Sequence, residues 1–424
     1  MSANDLLKKW KEDNPQVENI VLFVSDALRW DYLPNSIAKR GITFKTIASS
    51  IFTASSFPSI VTGLYPQHHG IFSFFNQLPL PRGFQTLLNL EGYNTSLWME
   101  NAWIDWPLGS SELHHILNFK KAVPLEDLSP PFIYLEDEKG GHCPYGWTKN
   151  DIYKETECTK FFYDYGKRSN QDLRDRYKLG INRSVQEFEK RLKVLEKRNL
   201  LDSTLVVFLS DHGELLGEYG GLIGHGYPTA PELVYVPIVF IHPDLPKGVN
   251  FESEGVIRHI DLFPTILDLL GIQMEHNVDG YSLFSSEKLP ERGLTYFKTE
   301  NNISLLKYRL IEKSVWDKNG GYLFRDGSKF FFRLMYGIYD SVSSKSLHAL
   351  YLRGQIQQQK FKMIKNYLRL LRNNCFSPIK YLNPNLNFHE AQKIINEIAE
   401  TKILDNEKYK IKRTIERLKQ EGKI

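Results

Sequence analysis

Two strand-like segments of the sequence each end in an acidic residue, an arrangement by which α/β proteins bring ligand-binding groups to one edge of a sheet. The apolar run that starts at Asn19 ends at Asp26, and the run that starts at Thr204 ends at Asp211-His212. Open α/β sheets bind ligands at the carboxyl ends of their strands, so these side chains are expected to meet. Two carboxylates and an imidazole favour a divalent ion, Mn²⁺ or Zn²⁺ rather than Ca²⁺ or Mg²⁺. The alternative is that each aspartate only caps the turn or helix that follows it.

A hydroxyl-rich segment supplies candidate nucleophiles. Residues 51–63 carry Thr53, Ser55 and Ser56 ahead of a predicted helix that closes with a Thr-Gly pair. A hydroxyl at a helix N-terminus lies among free backbone amides, which suits attack on an anionic ester. A nearby metal ion lowers the pKa of such a hydroxyl and makes it a usable nucleophile. Ordinary N-capping by serine or threonine is the alternative for this segment.

Short apolar runs separated by helical patterns predict the α/β body that positions these groups. The runs are rich in β-branched residues and lack alternation, as buried parallel strands do. The helical patterns cover Asp172–Arg198 and His259–Leu270, and Gly271 follows the second as a C-cap. Strands that alternate with helices predict a doubly wound, mostly parallel sheet. The predicted strands are Asn19–Val24, Asn94–Met99, Pro131–Leu135, Thr204–Leu209 and Pro237–Ile241.

The pattern changes in the last third of the chain. Glycine-containing turn signals between residues 319 and 327 predict antiparallel strands, and from Leu347 onward the sequence is helical and basic. We therefore expect a catalytic α/β domain over 1–290, a small antiparallel β subdomain over 291–346 and a basic helical C-terminal extension over 347–424. The predicted strands of the small subdomain are Leu294–Phe297, Ser304–Ile311 and Tyr322–Phe332.

The C-terminal part is strongly basic although the net charge of the whole chain is small. The chain has 424 residues and a formal charge of +4. Residues 351–424 contain 16 Lys or Arg and 7 Asp or Glu, so they carry +9 and the preceding residues carry −5. Such a tail can contact an anionic partner, whether a membrane surface, a nucleic acid or an acidic protein. A solvated helical surface is the alternative.

Cysteine usage and the N-terminal sequence indicate the compartment. Three cysteines without a CxxC pair exclude a disulfide scaffold and a thiolate zinc finger. Residues 1–15 contain no uninterrupted apolar core of the kind that secretory signals have. No run approaches the roughly 18 apolar residues that a membrane-spanning helix requires. We therefore expect a cytoplasmic protein.

Taken in order, the motifs resemble those of the sulfatases, which belong to the alkaline phosphatase superfamily. The resemblance spans residues 18–285. It implies the alkaline phosphatase-like α/β fold, metal-dependent chemistry on sulfate or phosphate esters, and an anionic ester substrate such as a small molecule, a glycan or a lipid headgroup. The matching motifs are Asp26 at the end of the first strand, TGLYPQHHG at 62–70, HCPY at 142–145, SDHGELLGEYG at 210–220, the His-Gly and Val-Pro pairs within 225–237, RHIDLFPTILDLLG at 258–271 and DGYSL at 279–283.

The nucleophile position departs from that of the formylglycine sulfatases. Those enzymes have a cysteine or serine nine residues before the threonine of the Thr-Gly pair, and that position here is Thr53. The resemblance therefore implies Thr53 as the nucleophile and as a metal ligand, with Ser55 and Ser56 as alternatives. A threonine in this place is similar to the phosphodiesterase and phosphotransferase branches of the superfamily. Because threonine cannot become formylglycine, the expected chemistry moves towards phosphoryl transfer.

The metal set also departs from the family pattern. Ala27 follows Asp26 where many sulfatases have a second aspartate, and His212 stands where they commonly have asparagine. The resemblance implies that the two strand-end aspartates, His212 and Thr53 hold a single metal ion. A second ion, as in the nucleotide pyrophosphatase-like branch, requires an Asp-x-x-x-His set that residues 140–210 lack.

Further residues complete the predicted site. His142 and His225 are candidates for protonating the leaving group or binding a nonbridging oxygen, since imidazole titrates in the useful pH range. A structural, hydrogen-bonded role is the alternative for each histidine. Asn101, at the end of a predicted strand, and Ser56 are candidate contacts for substrate oxygens. Glu214 is expected to lie behind the metal-binding histidine and to orient it.

The expected function is metal-dependent hydrolysis or transfer of phosphate or sulfate esters through a covalent threonine intermediate. A sulfuric ester hydrolase is the first alternative. The second is a non-catalytic sulfatase-like protein that binds an anionic glycan, a lipid surface or a nucleic acid. The motifs do not identify the leaving group.

Overall fold

The centre of the protein is an eight-stranded mixed sheet with helices packed on both faces. The described chain also forms a four-stranded antiparallel sheet and a two-stranded ribbon. The expected fold class, α/β with a doubly wound and mostly parallel sheet, is confirmed. The structure is a computed structural model that describes residues 2–74, 79–99, 109, 111–154, 157–285, 288–303, 306–327, 329–342, 347–356 and 362–400.

The strands, in chain order, are β1 Asn19–Ser25, β2 Ile42–Ile47, β3 Asn94–Trp98, β4 Phe132–Glu138, β5 Thr204–Leu209, β6 Leu215–Gly217, β7 Leu222–Gly224, β8 Tyr235–Ile241, β9 Val249–Asn250, β10 Ile257–Arg258, β11 Arg292–Ile303, β12 Leu306–Asp317, β13 Gly320–Asp326 and β14 Ile379–Leu382. The central sheet has the order β10-β2-β8-β5-β1-β4-β3, and β9 pairs with β2. β1 is parallel to both of its neighbours, β5 and β4, so the carboxyl ends of these three strands lie at one edge. Strands β11 to β14 form the antiparallel sheet.

The helices, in chain order, are α1 Ala3–Asp13, α2 Asn35–Ala38, α3 Thr53–Thr62, α4 Pro66–His69, α5 Glu112–Ile116, α6 Cys158–Gly166, α7 Asn170–Lys197, α8 Glu218–Gly221, α9 Pro231–Val234, α10 Leu262–Leu269, α11 Phe330–Val342, α12 Leu347–Ile356, α13 Lys362–Cys375 and α14 Phe388–Glu400. Short 3₁₀ turns occur at Trp30–Tyr32, Leu125–Asp127, Leu201–Ser203 and His259–Asp261. None of the helices in the described part of the chain combines the length and the apolar composition needed to cross a bilayer.

Alternate residues of β1 enter two different cores. Ile20, Leu22 and Val24 pack with the apolar side chains of α3 and α10 on one face of the sheet. Val21 and Phe23 pack with those of α7 on the other face. Because helices cover both faces, every residue of β1 is buried, which explains its unbroken apolar sequence. The strand therefore delivers the residue that follows it to a water-poor edge of the sheet.

The structure corrects three sequence-based expectations. The strand β2 was not predicted, and β8 runs antiparallel to both β5 and β2 instead of parallel. The predicted strand Tyr322–Phe332 ends at Asp326, and its last three residues begin α11. A short aromatic run does not distinguish strand from helix by its period, which is why this assignment failed. The first two residues of the predicted strand Ser304–Ile311 lie outside the described residues.

The C-terminal extension is joined to the body through a strand as well as through helices. β14 pairs antiparallel with β13, so the segment after residue 347 is not entirely helical. The hydroxyl of Tyr351, on α12, donates to Asn170 Oδ1 at 2.8 Å and ties the extension to the start of α7. The division of the chain at residues 290 and 346 stays a prediction, and the pairing of β14 with β13 crosses the second boundary.

Candidate active site

The floor of the site is a pair of aspartates at the ends of neighbouring parallel strands. Asp26 directly follows β1, and Asp211 lies two residues beyond β5. Both are withdrawn from water, with relative exposures of 1% and 0%. In the turn after β1, Ala27 has a left-handed backbone (φ 58°), and its N–H donates to Asp211 Oδ1 with an N–O distance of 3.2 Å. The backbone at Ala27 therefore helps to hold the two carboxylates together.

His212 completes a compact donor set with these aspartates. Its Nε2 lies 3.7 Å from Asp26 Oδ1 and 3.5 Å from Asp211 Oδ2. Its Nδ1 donates to the carbonyl oxygen of Gly213 at 2.8 Å, which leaves Nε2 as the acceptor nitrogen. Burial lowers the pKa of His212 well below its usual range, and the charge of His225 lowers it further. The ring is therefore neutral, as a metal ligand must be.

The three side chains fit a divalent cation because two of their buried oxygens have no other partner. Asp26 Oδ1 and Asp211 Oδ2 lack a hydrogen-bond partner among the described residues. Burial raises the pKa of Asp26 well above its usual range, and repulsion from Asp211 raises it further. A bound cation reverses this effect, since it favours ionised carboxylates. Two carboxylates with one imidazole form a donor set that Mn²⁺ and Zn²⁺ accept.

Thr53 is the first residue of α3, and its hydroxyl contacts the donor set. Oγ1 of Thr53 lies 3.1 Å from Nε2 of His212. The preceding residue, Phe52, is the N-cap and has an extended backbone. The hydroxyl therefore lies in the first turn of the helix, where the helix dipole is positive. All ten residues of α3 are buried, so the helix and its hydroxyl are fixed by packing.

His225 lies beside His212 and is held by a buried carboxylate. The two ring centroids are 4.3 Å apart. Glu214 accepts from Nδ1 of His225 at 2.8 Å through one oxygen and from the hydroxyl of Tyr145 at 2.7 Å through the other. Burial alone would lower the pKa of His225. The charge of Glu214 and its hydrogen bond to the ring have a larger opposite effect, so the pKa is raised. Glu214 thus orients His225 rather than His212, which corrects the expectation from the sequence.

His142 lies on the far side of His225, with ring centroids 5.2 Å apart. Its Nδ1 donates to the carbonyl oxygen of Cys143 at 2.7 Å. Burial lowers the pKa of His142 well below its usual range, and the charge of His225 lowers it further. Gly140 lets this loop approach the floor, since its φ is +46° and a Cβ there would lie 2.5 Å from the carbonyl oxygen of Asp26.

The hydroxyl of Ser56, another predicted site residue, is engaged outside this cluster. Ser56 is fully buried in α3, and its hydroxyl donates to the carbonyl oxygen of Ser50 at 3.2 Å. Its burial and this bond disfavour Ser56 as a nucleophile or a substrate contact. Ser55 is also buried, with a relative exposure of 2%. Asn101 lies outside the described residues.

Two buried groups near the site were not predicted. Asp137, near the end of β4, has an Oδ1 without a hydrogen-bond partner among the described residues, and burial raises its pKa, as does repulsion from Asp211. The rule that ligands bind at the carboxyl ends of strands located Asp26, and it applies to Asp137 as well. Asp137 could therefore have been predicted as a site residue from the sequence. His259 binds the carbonyl oxygen of Ser210 through Nε2 at 2.9 Å, and burial lowers its pKa to about 4. His259 lies in the RHIDLFPTILDLLG motif, but no role was predicted for it.

Family patterns match two separate parts of the chain. The pattern described as Sulfatase matches residues 126–272, and the one described as Type I phosphodiesterase / nucleotide pyrophosphatase matches residues 20–90. The Low-salt glycan biosynthesis sulfotransferase Agl7 of Haloferax volcanii is 35% identical over 325 residues, which cover 76% of this chain and 78% of that protein. The chain belongs to the sulfatase family. This membership confirms the resemblance and places the protein among enzymes that act on sulfate or phosphate esters.

Proteins that are named as sulfatases match this chain at lower identity. Arylsulfatase K of Homo sapiens is 26% identical over 193 residues, which cover 46% of this chain and 30% of that protein. The solved structure of a 2-O GAG sulfatase covers 87% of this chain and 95% of its own, with a TM-score of 0.56 and 15% identity. At that identity the likeness establishes the fold alone.

Adding Mn²⁺ or Zn²⁺ to the chelator-treated protein should raise its melting temperature, because an ion that binds only the folded state stabilises it. At about 100 times its Kd, the ion adds about 2.7 kcal/mol. The Asp211→Asn variant should melt higher than the wild type without metal, since it removes a repulsive buried charge. Added metal should no longer raise the melting temperature of this variant. Thermal unfolding with and without metal measures both effects.

The matched control for this experiment is Asp175→Asn, which removes an exposed carboxylate from α7. This variant should keep the full metal-dependent rise. A wild-type melting temperature that no divalent ion changes would contradict a cation site at Asp26 and Asp211.

Proposed function

We propose that this sulfatase-family protein transfers a sulfuryl group from a sulfate ester to an acceptor hydroxyl through a covalent intermediate on Thr53. The observation that carries the proposal is the position of this hydroxyl, with Oγ1 at 3.1 Å from Nε2 of His212 and beside the paired aspartates. The competing hydroxyl of Ser56 is engaged with the backbone. Thr53 is therefore the hydroxyl best placed to attack an ester bound over the donor set.

Asp26, Asp211 and His212 would hold one divalent metal ion, with Thr53 as a further ligand. Such an ion supplies a Lewis acid that lowers the pKa of the threonine hydroxyl and offsets the charge of the ester. The protein's own contribution is position, because the buried helix α3 fixes Thr53 at the edge of the sheet. The amides at the start of that helix favour an anionic group in front of them.

In the first half-reaction, Thr53 Oγ1 attacks the sulfur in line with the leaving oxygen. Thr53 Oγ1 gives up its proton to solvent, the Oγ1–S bond forms while the S–O bond to the leaving group breaks, and the leaving oxygen takes a proton from His225. His225 suits this role because Glu214 raises its pKa. Both oxygens of Glu214 already accept hydrogen bonds, so we assign the cluster of His212, Glu214 and His225 to proton transfer rather than to a second metal.

In the second half-reaction, the acceptor hydroxyl attacks the sulfur and the S–Oγ1 bond of Thr53 breaks. Thr53 Oγ1 and His225 then take up protons from solvent, and the protonated base returns its proton to solvent. We assign the role of base to His142, which is neutral. Its Nδ1–H donates a hydrogen bond to the carbonyl oxygen of Cys143. Its other ring nitrogen can then accept the proton of the acceptor hydroxyl. Two histidines whose pKa values are pushed apart by their surroundings form a natural acid and base pair.

A sulfated threonine must be resolved by attack at sulfur, which either an acceptor hydroxyl or water can carry out. A sulfated formylglycine hydrate can release sulfate by collapse of its gem-diol, but a sulfated threonine has no second hydroxyl on the same carbon. The sulfuryl group must therefore leave through attack at sulfur by another oxygen. The Haloferax volcanii relative is named as a sulfotransferase of glycan biosynthesis, which supports sulfate as the group and a glycan hydroxyl as the acceptor.

Phosphoryl transfer is the second candidate, and a specific observation favours it. Residues 20–90, which contain both Asp26 and Thr53, match the phosphodiesterase pattern. In-line attack by Thr53 on phosphorus would use the same groups in the same order. The choice between the two candidates depends on the transferred group alone.

Thr53→Ala should lower the release of p-nitrophenol by roughly 10⁴-fold, because it removes the nucleophile of a group of residues that act as a unit. Ser56→Ala is the matched deletion of a hydroxyl in the same helix and should remain close to wild type. The substrates are p-nitrophenyl sulfate, p-nitrophenyl phosphate and bis-p-nitrophenyl phosphate, each with and without an acceptor sugar. We expect the sulfate to react fastest and the sugar to accelerate the reaction.

Other outcomes of this assay would revise the proposal in defined ways. Loss of activity in Ser56→Ala but not in Thr53→Ala would identify Ser56, rather than Thr53, as the nucleophile. Fastest turnover of bis-p-nitrophenyl phosphate would favour the phosphodiesterase candidate. Inactivity towards all three esters, together with purified protein that contains no stoichiometric divalent ion, would favour a non-catalytic binding protein.

Glu214→Gln should shift the basic limb of the pH–rate profile to lower pH. His225 must be protonated to act as the acid, so activity falls as the pH rises through its pKa. Glu214 raises that pKa, and removing the carboxylate lowers it, so the fall begins earlier. Tyr145→Phe keeps the carboxylate and should shift the limb less. A profile of kcat against pH that is unchanged in Glu214→Gln would contradict His225 as the acid.

A further inference from the structure

Exposed large apolar side chains concentrate in one part of the chain that the proposed reaction does not use. Thirteen such side chains are exposed among the described residues, and nine of them lie between residues 330 and 382. Soluble proteins rarely leave a large apolar patch uncovered unless it binds something. The nine are Phe330, Phe331, Phe332, Met335, Ile338, Tyr339, Leu368, Phe376 and Leu382.

Helix α11 has a packed face and an exposed apolar face. On the packed face, Arg333 Nε donates to the carbonyl oxygen of Cys375, at the end of α13, at 2.9 Å. Phe331, Met335 and Ile338 recur at i, i+4 and i+7, on the opposite side of the helix. Their relative exposures are 63%, 52% and 37%. The helix therefore presents an apolar stripe to solvent.

Helix α13 packs against α11 and carries exposed positive charge. The rings of Phe330 and Phe376 lie 5.5 Å apart and join the apolar surfaces of α11 and α13. Lys365, Arg369 and Arg372 are exposed and share one face of α13 by the same helical spacing. We call the exposed sides of these two helices the α11–α13 surface.

The segment of sequence that contains these helices is strongly basic. Residues 329–382 contain ten Lys or Arg and a single acidic residue, Asp340. Exposed aromatic and aliphatic side chains bordered by lysine and arginine are the composition of proteins that lie on membranes, with apolar groups among the acyl chains and cations at the headgroups. We propose that the α11–α13 surface docks on an anionic lipid bilayer. This proposal is independent of the proposed reaction.

Two other occupants of the surface fit less well, because both are positively charged. A symmetric dimer would bring the same patch of two copies together and so oppose two sets of cations. Residues 401–424 contain eight Lys or Arg and four Asp or Glu, so this segment has the same sign as the surface. An anionic bilayer matches the charge and the apolar stripe together.

The test is flotation of the full chain with vesicles of phosphatidylcholine alone and of phosphatidylcholine mixed with phosphatidylglycerol. The protein should float with the anionic vesicles, and added salt should weaken its binding. Phe331→Glu and Met335→Glu should each reduce the bound fraction at least tenfold. Ile152→Glu is the matched control, because Ile152 is 73% exposed elsewhere on the chain, and it should bind as wild type does. Unchanged thermal unfolding of each variant shows that it is folded.

The contribution of charge is tested separately. Changing Lys365, Arg369 and Arg372 together to Gln should weaken vesicle binding by about fivefold for each charge removed. Changing the exposed Lys8 and Lys9 of α1 to Gln is the control and should have little effect.

Three results would overturn the membrane proposal. The first is no flotation, or equal flotation with neutral and anionic vesicles. The second is a dimer, measured by light scattering, that Met335→Glu separates, since this would assign the surface to a second copy. The third is tight binding of RNA that the Gln variants of α13 abolish while vesicle binding is absent.

Discussion

Two carboxylates that are almost completely withdrawn from water lie next to each other where β1 and β5 end. Their mutual repulsion is unfavourable in a folded protein, and the backbone N–H groups of Ala27 and His212 offset part of it by donating to Asp211 Oδ1. Other groups of the site are arranged around this pair. Helix α3 brings the hydroxyl of Thr53 to the imidazole, and the loop after β4 brings His142 over the edge of the sheet.

The surroundings of the site then separate two histidines of the same kind into different protonation states. Nδ1 of His225 donates to the carboxylate of Glu214, whereas Nδ1 of His142 donates to the carbonyl oxygen of Cys143. The first histidine is therefore the one that keeps a proton, and the second is the one that can take a proton. In the proposed double-displacement reaction, this division would supply both an acid and a base, while the paired aspartates would bind a cation.

Much of this arrangement was predictable, and the misses have physical reasons. Parallel strands deliver their last residues to one edge, so Asp26 and Asp211 could be placed together from sequence. The hydrogen-bond partner of Glu214 could not be predicted, because a local sequence pattern does not show which of two histidines a buried carboxylate will contact. The start of α11 was mistaken for a strand, since a short aromatic run has no diagnostic period. Asp137 was overlooked although the same strand-end rule applied to it.

The most direct test of the central claim is to trap the covalent intermediate. Wild-type protein is mixed with p-nitrophenyl sulfate and divalent metal, quenched with acid, digested and mapped by mass spectrometry. The account predicts a mass increase of one sulfuryl group on the peptide that contains Thr53, with fragmentation placing it on that residue, and its disappearance when an acceptor sugar is added. A modified Ser56, or turnover without any covalent adduct, would contradict the account.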